Sequence, residues 1–153
     1  MKCSFSMNLI NMASDTIKTY SLDFKGYWRE VNKNGLPSKT GIYLVYRCIY
    51  SAETNTVGLK EIIYIGKAEN VHDRIANHDK LEDFKSQLQE GEELCYSFAE
   101  VPVADLDVVE NALIYAQKPR LNDNLTDSFN HGAVAIKIDG RCACMKYTDF
   151  KIS

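Results

Sequence analysis

No stretch of the 153 residues approaches the roughly 20 consecutive apolar positions of a membrane span, and the opening MKCSFSMNLINMAS lacks the uninterrupted apolar run of a secretory signal. The expectation is a soluble, intracellular protein of the cytoplasm that does not engage membranes. Positive charge in excess is also missing: 18 Lys and Arg stand against 21 Asp and Glu, for a formal net charge of −3. That balance argues against affinity for nucleic acid through bulk electrostatics, which grows with the number of phosphates that Lys and Arg neutralise. Only clustered cations could supply such affinity, and Lys25, Arg29, Lys33 and Lys39 form one group while Lys67 and Arg74 form another. The five cysteines are odd in number and scattered, which points to reduced thiols rather than a disulfide framework. Cys142-Ala-Cys144, even with His131 nearby, matches no common zinc spacing and reads as one face of a terminal strand. The chain contains no internal repeat, no low-complexity tract and no zinc module.

What is present suits one domain, since 153 residues with 45% hydrophobic content can bury a substantial core. Residues 1–20 show no sustained period and are expected to form a loosely held lead-in, with residues 21–153 as the domain. Within Phe24–Trp28 the aromatics should pack on that domain, and Asn34–Ser38 reads as a turn around Gly35 and Pro37. Strands are expected from Gly41 to Tyr50 and from Glu61 to Gly66, separated by the polar stretch 51–58. A helix should start at Asn70 as N-cap, bury Val71, Ile75, Phe84 and Leu88, and end at Gly91. A third strand spans Leu94–Val101, closed by Pro102, and a second helix runs from Asp105 to just before Pro119 with Leu106, Val109, Leu113 and Ile114 as its apolar stripe. Asp139-Gly140 is a strong turn signal, predicting a C-terminal hairpin over 133–147.

Two tripeptides are the most informative feature. Gly41-Ile42-Tyr43 opens the first expected strand and Tyr64-Ile65-Gly66 closes the second. Side chains alternate along a strand, so Gly41, Tyr43 and Val45 should share one face, opposite Ile42 and Leu44. In the second strand Ile63 and Ile65 should oppose Ile62, Tyr64 and Gly66. Two phenols are therefore expected side by side, next to a glycine gap.

The spacing beyond them carries a resemblance. Arg74 follows Tyr64 by ten residues, His78 lies four further on, and Asn122 comes twelve after Glu110. Together with the tripeptides, these positions resemble the GIY-YIG nuclease superfamily, which includes the amino-terminal incision domain of bacterial excision-repair nucleases, homing endonucleases and some restriction enzymes. The resemblance covers residues 39–125. It implies a small α/β (α+β) domain with a mixed or antiparallel central sheet and flanking helices. Twenty-one residues separate Tyr43 from Tyr64, more than is usual in that superfamily, so the hairpin should be longer or carry a projecting loop.

The function implied by the resemblance is a metal-dependent endonuclease that nicks or cleaves DNA. Phosphodiester hydrolysis needs an attacking water deprotonated, charge on the phosphate neutralised and the leaving oxygen stabilised. By resemblance, Tyr43 is the general base, Tyr64 positions water or phosphate, and Glu110 holds magnesium, with manganese as a substitute. A single carboxylate with several waters suits magnesium, which dehydrates reluctantly. A phenol with an ordinary pKa of about 10 needs positive charge beside it to act at neutral pH, and Lys67 and the metal are the expected sources. Arg74 offers a planar fork for two phosphate oxygens, His78 would assist proton transfer or bind phosphate, Gly66 would let phosphate approach, and Asn122 would tie the site together. The expected spacing of Arg74 and His78 puts both on one helix face, looking across at the tyrosines. Taken singly, each of these residues has an ordinary structural reading; their joint occurrence carries the assignment. Two alternatives stay open: a nucleic-acid or protein-binding module with little catalysis, and a subunit active only with a protein partner or as a homodimer.

Overall fold

The computed structural model describes residues 17–153. Of the lead-in expected over residues 1–20, residues 1–16 lie outside the described residues, and the rest is corrected: from Lys18 the chain is a strand paired in the sheet. The protein is a mixed α/β domain: a six-stranded mixed sheet in the order β3-β2-β4-β1-β5-β6, with helices on both faces. The strands are β1 (Lys18–Arg29), β2 (Gly41–Ser51), β3 (Thr56–Ala68), β4 (Glu93–Glu100), β5 (Val134–Gly140) and β6 (Asp149–Ile152). The helices are α1 (Val71–Ala76), α2 (Leu81–Ser86) and α3 (Leu106–Gln117), and a 3-10 segment spans Glu30–Gly35. No helix among the described residues is long and apolar enough to cross a membrane.

β1 occupies an interior position. It pairs antiparallel with β4 and parallel with β5, burying Leu22 and Phe24. The alternation of Tyr20, Leu22 and Phe24 with polar neighbours is the period-2 pattern of a half-buried strand. The β2–β3 hairpin resolves the long separation of the two tyrosines: both strands are extended, with Ser51 paired to Thr56, so no large loop projects.

Pairing within that hairpin departs from strict alternation. Val45 faces Tyr64 and Tyr46 faces Ile62, which leaves Ile63 as an extra residue in β3. A bulge of this kind shifts the side-chain phase by one position. Ile63 therefore joins Tyr43, Val45 and Tyr64 under α1 and α2, while Ile62 and Ile65 pack with Ile42 and Leu44 under α3. The expectation that Ile63 and Ile65 share a face is corrected by this bulge. A second irregularity leaves Lys60 between the Arg47–Glu61 and Cys48–Leu59 pairs.

Two further expectations change. The single helix expected from Asn70 to Gly91 is two short helices interrupted at Asn77–Lys80. Asn70 does cap α1, its side chain accepting from the Asp73 N–H at 3.0 Å. Gly91 lies beyond α2, which ends at Ser86. The C-terminal hairpin expected over 133–147 closes later: β5 pairs with Asp149–Ile152, and Ala143–Tyr147 is a connecting segment rather than a strand. Gly140, at φ +87°, makes the turn out of β5, where an added Cβ would strike the Phe24 backbone. Cys142 and Cys144 lie in this connection, and His131 packs on the Phe129 ring at 5.1 Å.

Gln117, buried at the end of α3, holds the connection in place. Its Oε1 accepts from the Lys146 N–H at 2.7 Å and the Tyr147 N–H at 3.2 Å, and its Nε2 donates to the Tyr147 carbonyl at 2.7 Å. Gln117→Ala leaves three backbone groups without these partners, and urea unfolding is expected to register a loss of about 2 kcal/mol with an unchanged m-value.

Candidate active site

Gly66 and Tyr43 face each other across the β2–β3 ladder. The tyrosine ring lies against the glycine so closely that a Cβ at position 66 would collide with its Cζ and hydroxyl. The expected gap at Gly66 is thus filled by Tyr43 itself, and the glycine serves the phenol's position. Tyr64 lies beside it, ring centroids 6.3 Å apart, and Phe84 of α2 packs on Tyr64 at 5.2 Å.

His78, nearly fully buried in the break between α1 and α2, closes this cluster. The Lys80 N–H donates to its Nδ1 at 3.1 Å, so in the neutral ring the proton resides on Nε2. Nε2–H then donates to the Tyr43 hydroxyl oxygen at 2.7 Å. The phenol's own hydrogen is left free to turn away from the histidine. Burial and the Arg74 charge together lower the His78 pKa to about 4. Burial, followed by the neighbouring Tyr64, raises that of Tyr43, and Arg74 opposes the rise. The resting site therefore holds a neutral phenol and a neutral imidazole, with the Arg74 guanidinium acting on both and the Asp79 carboxylate 3.5 Å from His78 Nδ1.

That guanidinium comes from α1. Arg74 and His78 do not share a helix face, because the helix ends at Ala76, yet the turn that follows folds His78 back beside the tyrosines. Arg74 Nη2 donates to Asp79 Oδ1 at 2.9 Å, and that contact holds the Asp79 carboxyl below its usual range. Asp79 was not foreseen; it lies outside both helices, so no helical spacing relates it to Arg74.

The remaining residues come from the opposite side of the sheet. Lys67 pairs in register with Ile42 and points toward α3, where its ammonium binds Asp107 and lies 3.9 Å from Glu110. The expectation that Lys67 supplies charge to Tyr43 is corrected: alternation puts it on the other face, and Arg74 takes that part. Asp107 was also missed, although its place one turn before Glu110 on α3 was a visible signal. Asn122 caps the outer edge of β3, its Oδ1 accepting from the Ile65 N–H at 3.0 Å and its Nδ2 donating to the Ile65 carbonyl at 2.9 Å. With Leu121 N–H bonded to the Ile63 carbonyl at 3.1 Å, the loop covers the exposed edge at the site. Both ends of the Asn122 amide are engaged with Ile65, and the side chain acts as a brace.

Glu110 and Tyr64 meet in a cavity of about 170 Å³ that Asp123 and Lys80 also line. Burial raises the Glu110 pKa, with Lys67 opposing. The Glu110 carboxylate is a hard oxygen donor whose nearby cation, the Lys67 ammonium at 3.9 Å, is shared with Asp107. Among the described residues no three His, Cys, Asp or Glu side chains converge on one point. This set fits a divalent cation that keeps most of its ligands as water and substrate oxygens, the habit of magnesium. Compared with known proteins, the chain matches no family model, no curated protein and no solved structure.

The protonation state can be read directly. The folded His78 pKa lies near 4 against an ordinary 6.5, so between these values the unfolded chain binds the proton and the folded protein does not. Stability is expected to fall as pH drops from 6.5 toward 4, and His78→Gln should flatten that slope. An NMR titration placing His78 near 6.5 would mean that the imidazole is solvated and its bond to Tyr43 absent.

Proposed function

We propose that this protein is a metal-dependent endonuclease of the GIY-YIG type that hydrolyses DNA phosphodiester bonds. The observation that carries this reading is the convergence of Tyr43, Tyr64, His78 and Arg74 on one side of the β2–β3 hairpin, with Glu110 reaching the same edge from the other. Glu110 is the residue that would hold the cation, which when bound supplies charge neutralisation at phosphate and a more acidic water.

The chain's own residues provide the rest. The attacking water bonds phosphorus through its oxygen and gives its proton to the Tyr43 phenolate, while the leaving oxygen departs with the P–O electron pair and takes a proton from solvent water. The phenolate forms beforehand, when the Tyr43 phenol passes its proton to water of the cavity that Tyr64 and Glu110 line. The phenolate then accepts from His78 Nε2–H and lies near the Arg74 guanidinium, two stabilising influences that offset the burial raising its pKa. Arg74, released from Asp79, clamps the phosphate through its planar fork. Tyr64 borders both the Tyr43 ring and the Glu110 cavity and positions water between them. Asn122 keeps Ile65, and hence Tyr64 and Gly66, in register.

The engagement of Arg74 by Asp79 and of Lys67 by Asp107 favours a second reading, a DNA-binding module with weak catalysis. Incubation with supercoiled plasmid in magnesium or manganese separates the two. The nuclease reading expects nicking or linearisation that chelator abolishes and that falls by about 10²–10³-fold or more in Tyr43→Phe and Glu110→Ala with the fold retained. Binding without cleavage in all of these proteins supports the second. For Arg74→Ala, single-turnover kinetics should show a far larger loss in rate than in DNA affinity; a loss in affinity alone would reduce Arg74 to a backbone contact.

A further inference from the structure

The cations expected to form a basic surface are largely neutralised. Lys25 pairs with Asp23, Arg29 with Glu93, Lys33 with Glu30 and Lys39 with Glu100, so the upstream group presents little free charge. The site cations Arg74 and Lys67 are paired as well. A different surface keeps its charge. Beside the outer edge of β3 lies a cavity of about 200 Å³ whose walls include Lys60, Lys118, Arg120 and Lys146, with Glu61 as its one carboxylate. Glu61 is already bound by Arg120 at 2.7 and 2.9 Å and by Arg47 at 3.1 Å. Lys60, Lys118 and Lys146 form no salt bridge with any described carboxylate.

Several features of the fold set these charges in place. Lys60 is the extra residue at the second irregularity of β3, the kind of feature that re-aims a side chain. Lys118 ends α3 in the left-handed conformation at φ 49°, and its ammonium donates to the Thr126 carbonyl. The Lys146 backbone is fixed by Gln117. The loop after α3 is a common wall: Lys118–Arg120 line this cavity, and Leu121–Leu125 line the one containing Glu110 and Tyr64. α3 advances about 10 Å from Glu110 to Gln117, the rise of about three base-pair steps along the axis of a duplex. The unpaired Lys80 lies at the Glu110 end of the same path.

We propose that this groove holds the sugar-phosphate backbone of the strand being cut, a few nucleotides from the scissile phosphate. The proposal rests on the nuclease reading and adds to it the direction in which the strand leaves the site. It also explains how a chain of net charge −3 engages a polyanion: by a narrow basic track beside β3 rather than by a broad surface.

The double variant Lys60→Ala/Lys146→Ala leaves the proposed catalytic residues untouched. Binding to a short fluorescent duplex and to the corresponding single strand, measured across a salt series, should weaken about tenfold or more at 0.1 M salt. The slope of log K against log salt should shrink by about 1.8 for duplex, ~0.9 for each lost phosphate contact. Plasmid cleavage at saturating DNA should keep its wild-type rate. If wild type cleaves and the variant binds with unchanged affinity and slope, the groove is overturned and the nuclease reading stands. If wild type binds without cleaving and the variant binds more weakly, the groove's contact with the backbone stands, while the nuclease reading falls and with it the assignment to a strand being cut. If wild type neither binds nor cleaves, both fall.

Discussion

The close approach of the Tyr43 ring to Gly66 is the contact on which the candidate site depends. It is possible only because glycine has no Cβ and because antiparallel pairing sets the two residues directly opposite each other. With the ring laid across the ladder, its hydroxyl reaches His78, and Tyr64, Phe84 and His78 close around it. A larger residue at 66 would force the phenol away from its partner. The pair of tripeptides that first draws attention in the sequence is therefore a packing device before it is a chemical one.

Electrostatics sets a second constraint. Both cations near the candidate site, Arg74 and Lys67, sit in ion pairs with exposed carboxylates, which would compete with any incoming anion. Exposed pairs are weak and solvent-screened, so Asp79 and Asp107 can give way to a more highly charged ligand. The buried groups behave differently: neutral His78 and neutral Tyr43 share one hydrogen bond, and loss of the phenol proton would place a charge where burial opposes it.

The β3 edge links these two features. An open strand edge invites association with other strands, and here Leu121 and Asn122 occupy it with backbone and side-chain hydrogen bonds. The same loop divides the acidic cavity around Glu110 from the basic one around Lys60 and Lys146. One short segment thus braces the tyrosines, shields the edge and separates surfaces of opposite charge.

Local pattern in the sequence was enough for the β2–β3 hairpin, β4, α3 and the Asn70 cap, because alternation, helical periodicity and capping are properties of neighbouring residues. The grouping of the tyrosines, His78, Arg74 and Glu110 rests on the resemblance in spacing rather than on local pattern. Local pattern was not enough for the phase of β3, since the bulge at Ile63 arises from pairing with β2; nor for the interior place of β1, which needs β4 and β5 on either side; nor for the break at Asn77–Lys80, which folds His78 onto the tyrosines. Ion pairing was beyond it altogether. Asp79 and Asp107 lie near their partners only after the chain has folded, and which face Lys67 points to follows from register rather than composition. What depends on residues within a few positions of one another the sequence determined by itself; what depends on residues brought together across the sheet was decided by tertiary structure, because packing and Coulomb interactions act through space and not along the chain.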